Sequence, residues 1–376
     1  MGRNKKEETD ASNKDKAQNI LKSVLKDTRI HFNNIIPKSY TVSTGSLNLD
    51  LELGGGIKPC VLRASGMSEA GKTSFTLNII KNFLEEKNKK RRSIYFLSDK
   101  EFSEEMIKRS GVNFVDNVDD FVDGTCYIIR TNIYETVCNT IKQLIEDRDI
   151  EYIFALDSMD NFAPKSALDV DFGESFQKGG TSAITAHFFR CFNILLPRLG
   201  HIVIMISQYR DSVVIGRQHN PIFKQTNSSG GRALEHGVVW ALEFIPAQNS
   251  KEDMFWEGTP WQSKKIGHNC TVQLKKSPNE KTGVKVKYPI VYGRSGGKSI
   301  WIEKEIYSQL LIWQMLKIKG SWIEFNESLL EDLQKIDNEF PKQIQGEDQL
   351  VKLLESKPKV TSYLYIKFKD ILSKDS

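Results

Sequence analysis

Nine residues, Gly66 to Ser74, read GMSEAGKTS. Their spacing, Gly66-x4-Gly71-Lys72-Thr73, is that of a Walker A loop. The two glycines free the backbone to curl. The N–H groups of Ser68, Glu69, Ala70, Gly71 and Ser74 can then turn toward phosphate oxygens. A helix that starts near Lys72 adds the positive end of its dipole. Lys72 supplies a point charge for the β- and γ-phosphates. The Thr73 hydroxyl supplies a ligand for Mg2+. The competing reading is an ordinary turn with a solvated lysine. The flanks argue against it: apolar Cys60-Val61-Leu62 precedes the loop, and amphipathic Phe75 to Ile80 comes after it.

A phosphate loop needs a carboxylate for the metal's shell. Tyr152-Ile153-Phe154-Ala155-Leu156-Asp157 is an apolar strand ending in an acid, the Walker B form. Asp157 would meet Thr73 and the metal there, through water. Strand-ending aspartates also cap helices, so this motif gains its force only beside Walker A. Hydrolysis needs a group to orient water. Glu101 lies just past the apolar strand Ser93–Leu97 and could serve as general base. On spacing alone a solvated surface acid is the better explanation. Ile202–Ile206 ends at Ser207-Gln208, and a glutamine there can bond a γ-phosphate and report its presence to the segment C-terminal to it.

The elements that position these residues read as α/β. Apolar runs at Cys60–Leu62, Ser93–Leu97, Cys126–Ile129, Tyr152–Leu156 and Ile202–Ile206 alternate with helical stretches at Thr73–Lys87, Ile133–Arg148 and Ser182–Leu196. This predicts a mostly parallel, twisted sheet covered on both faces, with ligands at the carboxyl ends of its strands. Gln208 to Gly231 is polar, contains glycine and shows little regular pattern. A stretch of that length in a compact domain is functional or disordered. Residues 1–15 are polar and charged and read as a disordered tail. Ile20, Leu21, Val24 and Leu25 then form a narrow helical stripe, which must dock on its own domain or on a neighbouring subunit. Beyond about residue 300 helices are expected at Ile306–Lys319, Glu327–Asp337 and Gln349–Ser373, the last interrupted by Pro358.

Composition sets bounds. The 376 residues suffice for two or three domains. With 27% charged and 39% hydrophobic residues the chain has an ordinary soluble make-up. A net charge of +5 permits a polyanionic partner without requiring one. The five cysteines show no CxxC pair and the six histidines no metal spacing. That argues against a zinc site or disulfide framework and fits a reducing cytosol. No apolar run is long enough for a membrane span, and no signal-peptide core or myristoylation signal is read at the N-terminus.

Ser43-Thr44-Gly45-Ser46-Leu47-Asn48-Leu49-Asp50, with Leu53-Gly54-Gly55-Gly56, resembles the segment leading into the P-loop of RecA-type recombinases. The resemblance continues at Asp99-Lys100-Glu101, Ala155-Leu156-Asp157-Ser158, Ser207-Gln208 and Ser229-Gly230-Gly231-Arg232-Ala233-Leu234. It covers about residues 41–300, and more loosely the rest. Outside the motifs the chain looks more like phage recombinases of the UvsX type. The resemblance implies a RecA-like ATPase core over 41–299, an N-terminal oligomerisation segment over 16–40 carrying a polymerisation helix, and a small α/β C-terminal domain over 300–376. It implies ATP and Mg2+ as cofactors, a helical filament on single-stranded DNA, and pairing with homologous duplex. It leaves room for a recombination mediator or single-strand-binding protein, and implies a cytoplasmic location, that of the host if phage-encoded. By position it makes Glu101 the catalytic carboxylate and Gln208 the γ-phosphate sensor. Lys275 or Lys276 would reach a neighbour's phosphates. Two DNA loops would lie near 168–180 and 209–231. The first holds Phe176, Lys178 and Gly179. The second holds Arg210, Arg217, Phe223, Lys224, Gly230 and Gly231, with Arg232 at its exit. Cations along a strand and an apolar wedge suit single strands without sequence preference.

Several residues depart from the family pattern. Glu69 brings a negative charge into the phosphate loop. Met106 stands where the family often has a tyrosine stacked on adenine. The segment between Glu101 and Gly111 is short, and Lys275-Lys276 are adjacent where two lysines are often separated. No acidic tail closes the chain; Lys357–Lys374 is basic. A DNA-dependent ATPase and strand-exchange protein is the leading expectation. An ATP-binding accessory protein that does not pair DNA is the alternative, and a hexameric helicase fits the N-terminal segments less well.

Overall fold

The structure, a computed structural model, describes residues 16–26, 32–33, 35–169, 180–214, 222–226, 231–247, 253–259 and 262–374. After helix α1 (16–24) and the short α2 (Leu47–Glu52), strand β1 (Val61–Gly66) enters the sheet and α3 (Lys72–Leu84) leaves it. Next come β2 (Arg91–Leu97), α4 (Glu104–Ser110), β3 (Phe114–Val115), β4 (Cys126–Arg130), α5 (Tyr134–Leu144) and β5 (Glu151–Asp157). Helices α6 (Gly180–Phe192) and α7 (Leu195–Leu199) lead to β6 (Ile202–Gln208), the hairpin β7 (Arg210–Val214) and β8 (Ile222–Thr226), and α8 (Gly231–Gly237). The core closes with β9 (Trp240–Ile245), β10 (Met254–Thr259), β11 (Gln262–Lys276) and β12 (Lys285–Val291).

Ten of these strands form one sheet in the order β10-β11-β9-β1-β6-β5-β2-β4-β3, with β12 also on β11. From β9 to β3 every pairing is parallel; β10, β11 and β12 run antiparallel. Every residue of β5 is buried, as the doubly covered middle of a parallel sheet requires. Alternate residues serve opposite faces. Leu62, Ala64 and Tyr95 meet Phe75, Ile79 and Phe83 of α3, while Val61, Phe96 and Phe154 meet the layer of α5 and α6.

A third core belongs to the C-terminal elements: α9 (Ile302–Ile312), the small sheet β13 (Leu316–Lys319), β14 (Trp322–Phe325) and β15 (Gln343–Gln345), and helices α10 (Glu327–Ile336), α11 (Gly346–Ser356) and α12 (Pro358–Lys374). The expected α/β fold is what the chain adopts, but several boundaries differ. The helix expected over Ile306–Lys319 stops at Ile312, because Leu316–Lys319 pairs with Trp322–Phe325 as a hairpin. The single helix expected over Ser182–Leu196 is two, α6 and α7. The helix expected to run to Arg148 ends at Leu144. Pro358 splits the last helix by opening α12, where its missing N–H costs nothing. The stretch after Gln208 is not without regular structure: β-prone Val213-Val214 and Ile222-Phe223 fall in the paired strands β7 and β8. No helix among the described residues is long and apolar enough to cross a membrane.

The segment STGSLNLD is where core and C-terminal elements lock together. Ser46 caps α2, accepting from Leu49 N. Asp50, fully buried, accepts from Thr44 N and the hydroxyls of Ser43 and Thr44 and pairs with Lys369 of α12 at 3.1 Å. Glu305 of α9, also fully buried, faces the N-terminus of α2. It accepts from Ser46 Oγ at 2.5 Å, Leu47 N at 2.8 Å and Asn48 N at 3.3 Å. Burial pushes the Glu305 carboxyl up to about 8, against the pull of those three donors. The folded chain therefore binds this proton more tightly than the unfolded chain, where a glutamate titrates near about 4.3. The stabilisation is complete below that value and is lost as pH rises through about 8. From about pH 5 to about pH 8.5 the melting temperature is expected to fall by roughly 2–4 °C more in the natural chain than in Glu305→Gln. A pH-independent difference between the two would contradict this reading.

Candidate functional site

The phosphate-loop segment connects the buried end of β1 to the first turn of α3. Gly66 lies so close to β9 that a Cβ there would stand 2.3 Å from the Phe244 carbonyl oxygen. Gly71, at φ +99°, is the helix N-cap in a left-handed conformation that glycine adopts at low cost. Between them Glu69 is exposed and also left-handed, at φ 61°. Lys72 is buried, and its ammonium donates to the Gly66 carbonyl at 3.0 Å and the Met67 carbonyl at 2.5 Å. That pair of bonds holds the lysine under the curled loop. Burial lowers the Lys72 pKa, with Asp157 and Asp160 opposing.

The strand-end residues converge on this loop. Thr73 Oγ1 donates directly to Asp157 Oδ2 at 3.1 Å. Burial raises the pKa of Asp157, and hydrogen bonds from Tyr95 and Thr73 pull it back. Gln208 ends β6 opposite Gly66 in register. Its side-chain oxygen accepts from Ser68 Oγ at 3.3 Å, and its N–H donates to Asp160 at 2.6 Å. The sheet thus brings Ser68, Lys72, Thr73, Asp157 and Gln208 together, as their spacing predicts.

A cleft of about 590 Å3 runs from Glu69, Gly71 and Ser74 past Met106 to Tyr292. One wall is α3; the opposite wall is β11, β12 and the turn after β12. That turn is pinned to α4, with Gly296 N and Gly297 N donating to the carbonyls of Lys108 and Arg109. Met106 lines the middle of the cleft. Tyr292 and His268, linked OH to Nδ1 at 2.9 Å, line its far end. Sequence reading missed both, since they lie far along the chain from the motifs. The tyrosine's position just after an apolar strand and before GRSGG was the available signal. Arg63 was also missed. Buried within β1, it donates from Nε to Ser207 Oγ at 3.2 Å, and burial lowers its pKa against the charges of Tyr209, Glu235 and Asp160. It sits behind the Gln208 corner.

Other expected site residues are held elsewhere. Glu101 lies beyond the end of β2, exposed, and accepts from Arg130 Nε at 2.5 Å. No hydrogen bond joins it to the loop among the described residues. Lys275 pairs with buried Glu243 at 2.6 Å. Lys276 donates to the Glu235 and His236 carbonyls at the end of α8, at 3.2 and 2.8 Å. The adjacent lysines thus reach different partners, at the point where an irregularity in the pairing of β11 with β9 leaves Lys275 as the extra residue. Of the expected DNA contacts, Phe176, Lys178, Gly179, Arg217 and Gly230 lie outside the described residues. Arg210 belongs to β7, Phe223 and Lys224 to β8, and Gly231 and Arg232 to the start of α8.

A parallel sheet with a Walker A loop at one strand end, an aspartate at a second and a glutamine at a third defines a P-loop core of RecA-like form. The chain belongs to the RecA family: the family model described as the RecA N-terminal domain matches residues 16–293. It is 25% identical over 327 residues to Protein RecA of Rickettsia bellii (strain RML369-C), covering 83% of this chain and 85% of that one. To Protein RecA of Aquifex pyrophilus it is 23% identical over 333 residues, covering 88% and 83%. To that of Nostoc sp. it is 22% identical over 336 residues, covering 89% and 81%. These relatives are bacterial and lend no support to a narrower phage grouping.

A nucleotide base seated against Met106 would be separable from its phosphates by substitution. Met106→Ala is expected to weaken ATP binding by about 3–10-fold, the loss of roughly 1 kcal/mol of apolar contact. Binding of inorganic triphosphate should not change. Equal losses for both ligands, or none for ATP, would place the base elsewhere.

Proposed function

We propose that this chain is a DNA-dependent ATPase that forms filaments on single-stranded DNA and pairs that strand with homologous duplex in recombination and repair. The observation that carries the reading is the place of Gln208. Its side chain bonds Ser68 in the phosphate loop, and the chain passes from it, through Tyr209, into the β7–β8 hairpin expected to hold DNA. A γ-phosphate that competes for this glutamine would bias the hairpin, which is the coupling a nucleotide-gated DNA protein requires. Lys276 is tied to the end of α8, the helix that the hairpin leads into. A neighbour's phosphates drawing on that lysine would reach the same element.

In this scheme the phosphate loop and Lys72 bind ATP, with the base beside Met106 and Tyr292. Thr73 and Asp157 would hold Mg2+. The fit is good, because nucleotide-bound Mg2+ takes one or two protein oxygens and fills its shell with phosphate and water. Here one hydroxyl and one carboxylate, 3.1 Å apart, flank the loop. Bound Mg2+ neutralises charge developing on the phosphates. Glu101 would orient the attacking water after leaving Arg130. That pair is half exposed on both sides, so separating it costs little. The apolar stripe of α1 supports assembly: Ile20, Leu21 and Val24 stand 57%, 58% and 49% exposed, a face suited to a neighbouring subunit in a filament. A cytoplasmic setting accords with five free cysteines.

The second reading, an ATP-binding accessory protein without strand exchange, draws on the Glu101–Arg130 pair, which occupies the proposed catalytic carboxylate. Lys72→Ala is expected to abolish nucleotide-dependent binding of single-stranded DNA, read by fluorescence anisotropy with and without ATP. Unchanged binding would sink the coupling scheme. Nucleotide binding without any effect on DNA would favour the accessory reading.

A further inference from the structure

Tyr95 lies in the middle of β2 and is fully buried. It is opposite Ala155 of β5, and Asp157 lies two residues further along the same face. A long aromatic side chain can reach such a diagonal neighbour. Its hydroxyl donates to Asp157 Oδ2 at 2.6 Å, the oxygen that also accepts from Thr73. Phe102 packs edge-on against the Tyr95 ring, with centroids 4.9 Å apart, and fixes its direction. Two hydroxyls therefore converge on Oδ2, and Oδ1 has no protein hydrogen bond among the described residues.

We propose that Tyr95 is a positioning residue for nucleotide-bound Mg2+: it pins Oδ2 of Asp157 and so turns Oδ1 toward the metal's shell. The inference rests on the ATP-site reading above. A carboxylate held by one donor can swing; one held by two, from β2 and from α3, keeps a single orientation. Partners that orient a metal-side group in this way typically govern metal affinity by about 10–100-fold. The strand pattern hides this role, because Tyr95 reads as one more apolar residue in SIYFL.

The test is the affinity for a fluorescent ATP analogue, titrated with Mg2+ and again in EDTA. Tyr95→Phe keeps the ring that Phe102 packs against, and a thermal melt checks its fold. The expected result is about a 10-fold rise in the Mg2+ concentration giving half of the metal-linked gain. Affinity in EDTA should stay as in the natural chain. In an Asp157→Asn background Tyr95→Phe should have no further effect on the Mg2+ titration. An unchanged Mg2+ midpoint, an equal loss in EDTA, or an effect that persists beside Asp157→Asn would overturn the proposal. Absence of analogue binding to the natural chain in both conditions would instead overturn the ATP-site reading. Should the phenylalanine variant fail to fold, Tyr95→Met, whose flexible chain fills irregular space, repeats the comparison.

Discussion

The site depends on the register of β1 between its two parallel neighbours. Gly66 stands beside Phe244 of β9 on one side and Gln208 of β6 on the other. That single alignment puts the phosphate loop over the Phe244 carbonyl, where only glycine fits, and brings the glutamine within reach of Ser68. A slip of one residue would turn Leu62 and Ala64 to the wrong face and carry Gln208 away from the loop. Both faces of β1 are buried, so the slip is prevented by the same packing that forms the core. Fold stability and site geometry here are one constraint.

Charge is handled by pairing across the whole of this corner. Lys72 sits under the loop on its own carbonyls, Lys275 is matched to Glu243, Lys276 to the end of α8, and Glu101 to Arg130. Glu69, the unexpected acid in the loop, is exposed in a left-handed turn, where water screens it. In the proposed mechanism nucleotide binding and subunit assembly would exchange these partners for phosphates. The Glu101–Arg130 pair is at the surface and weak, which keeps its exchange inexpensive.

What was legible in the sequence depends on where each signal lies. Lys72, Thr73 and Asp157 were legible because a loop motif and an apolar strand are local patterns. Gln208 was legible as the last residue of such a strand. Tyr95, Arg63, His268 and Tyr292 were not, because their partners are set by neighbours in the sheet, not by chain spacing. The segment STGSLNLD was recognisable by resemblance, but its physical reason was not: Glu305 and Lys369 come from more than 250 residues away. Helix ends in the C-terminal part failed for a related cause. Leu316–Lys319 continues a helical pattern in sequence and becomes a strand only because Trp322–Phe325 folds back on it.

The most direct test of the central claim is ATP hydrolysis by the purified chain, with and without single-stranded DNA, alongside Glu101→Ala. The account expects strong stimulation by DNA that is lost in the variant. Hydrolysis indifferent to DNA, or stimulation that survives loss of the Glu101 carboxylate, would contradict it.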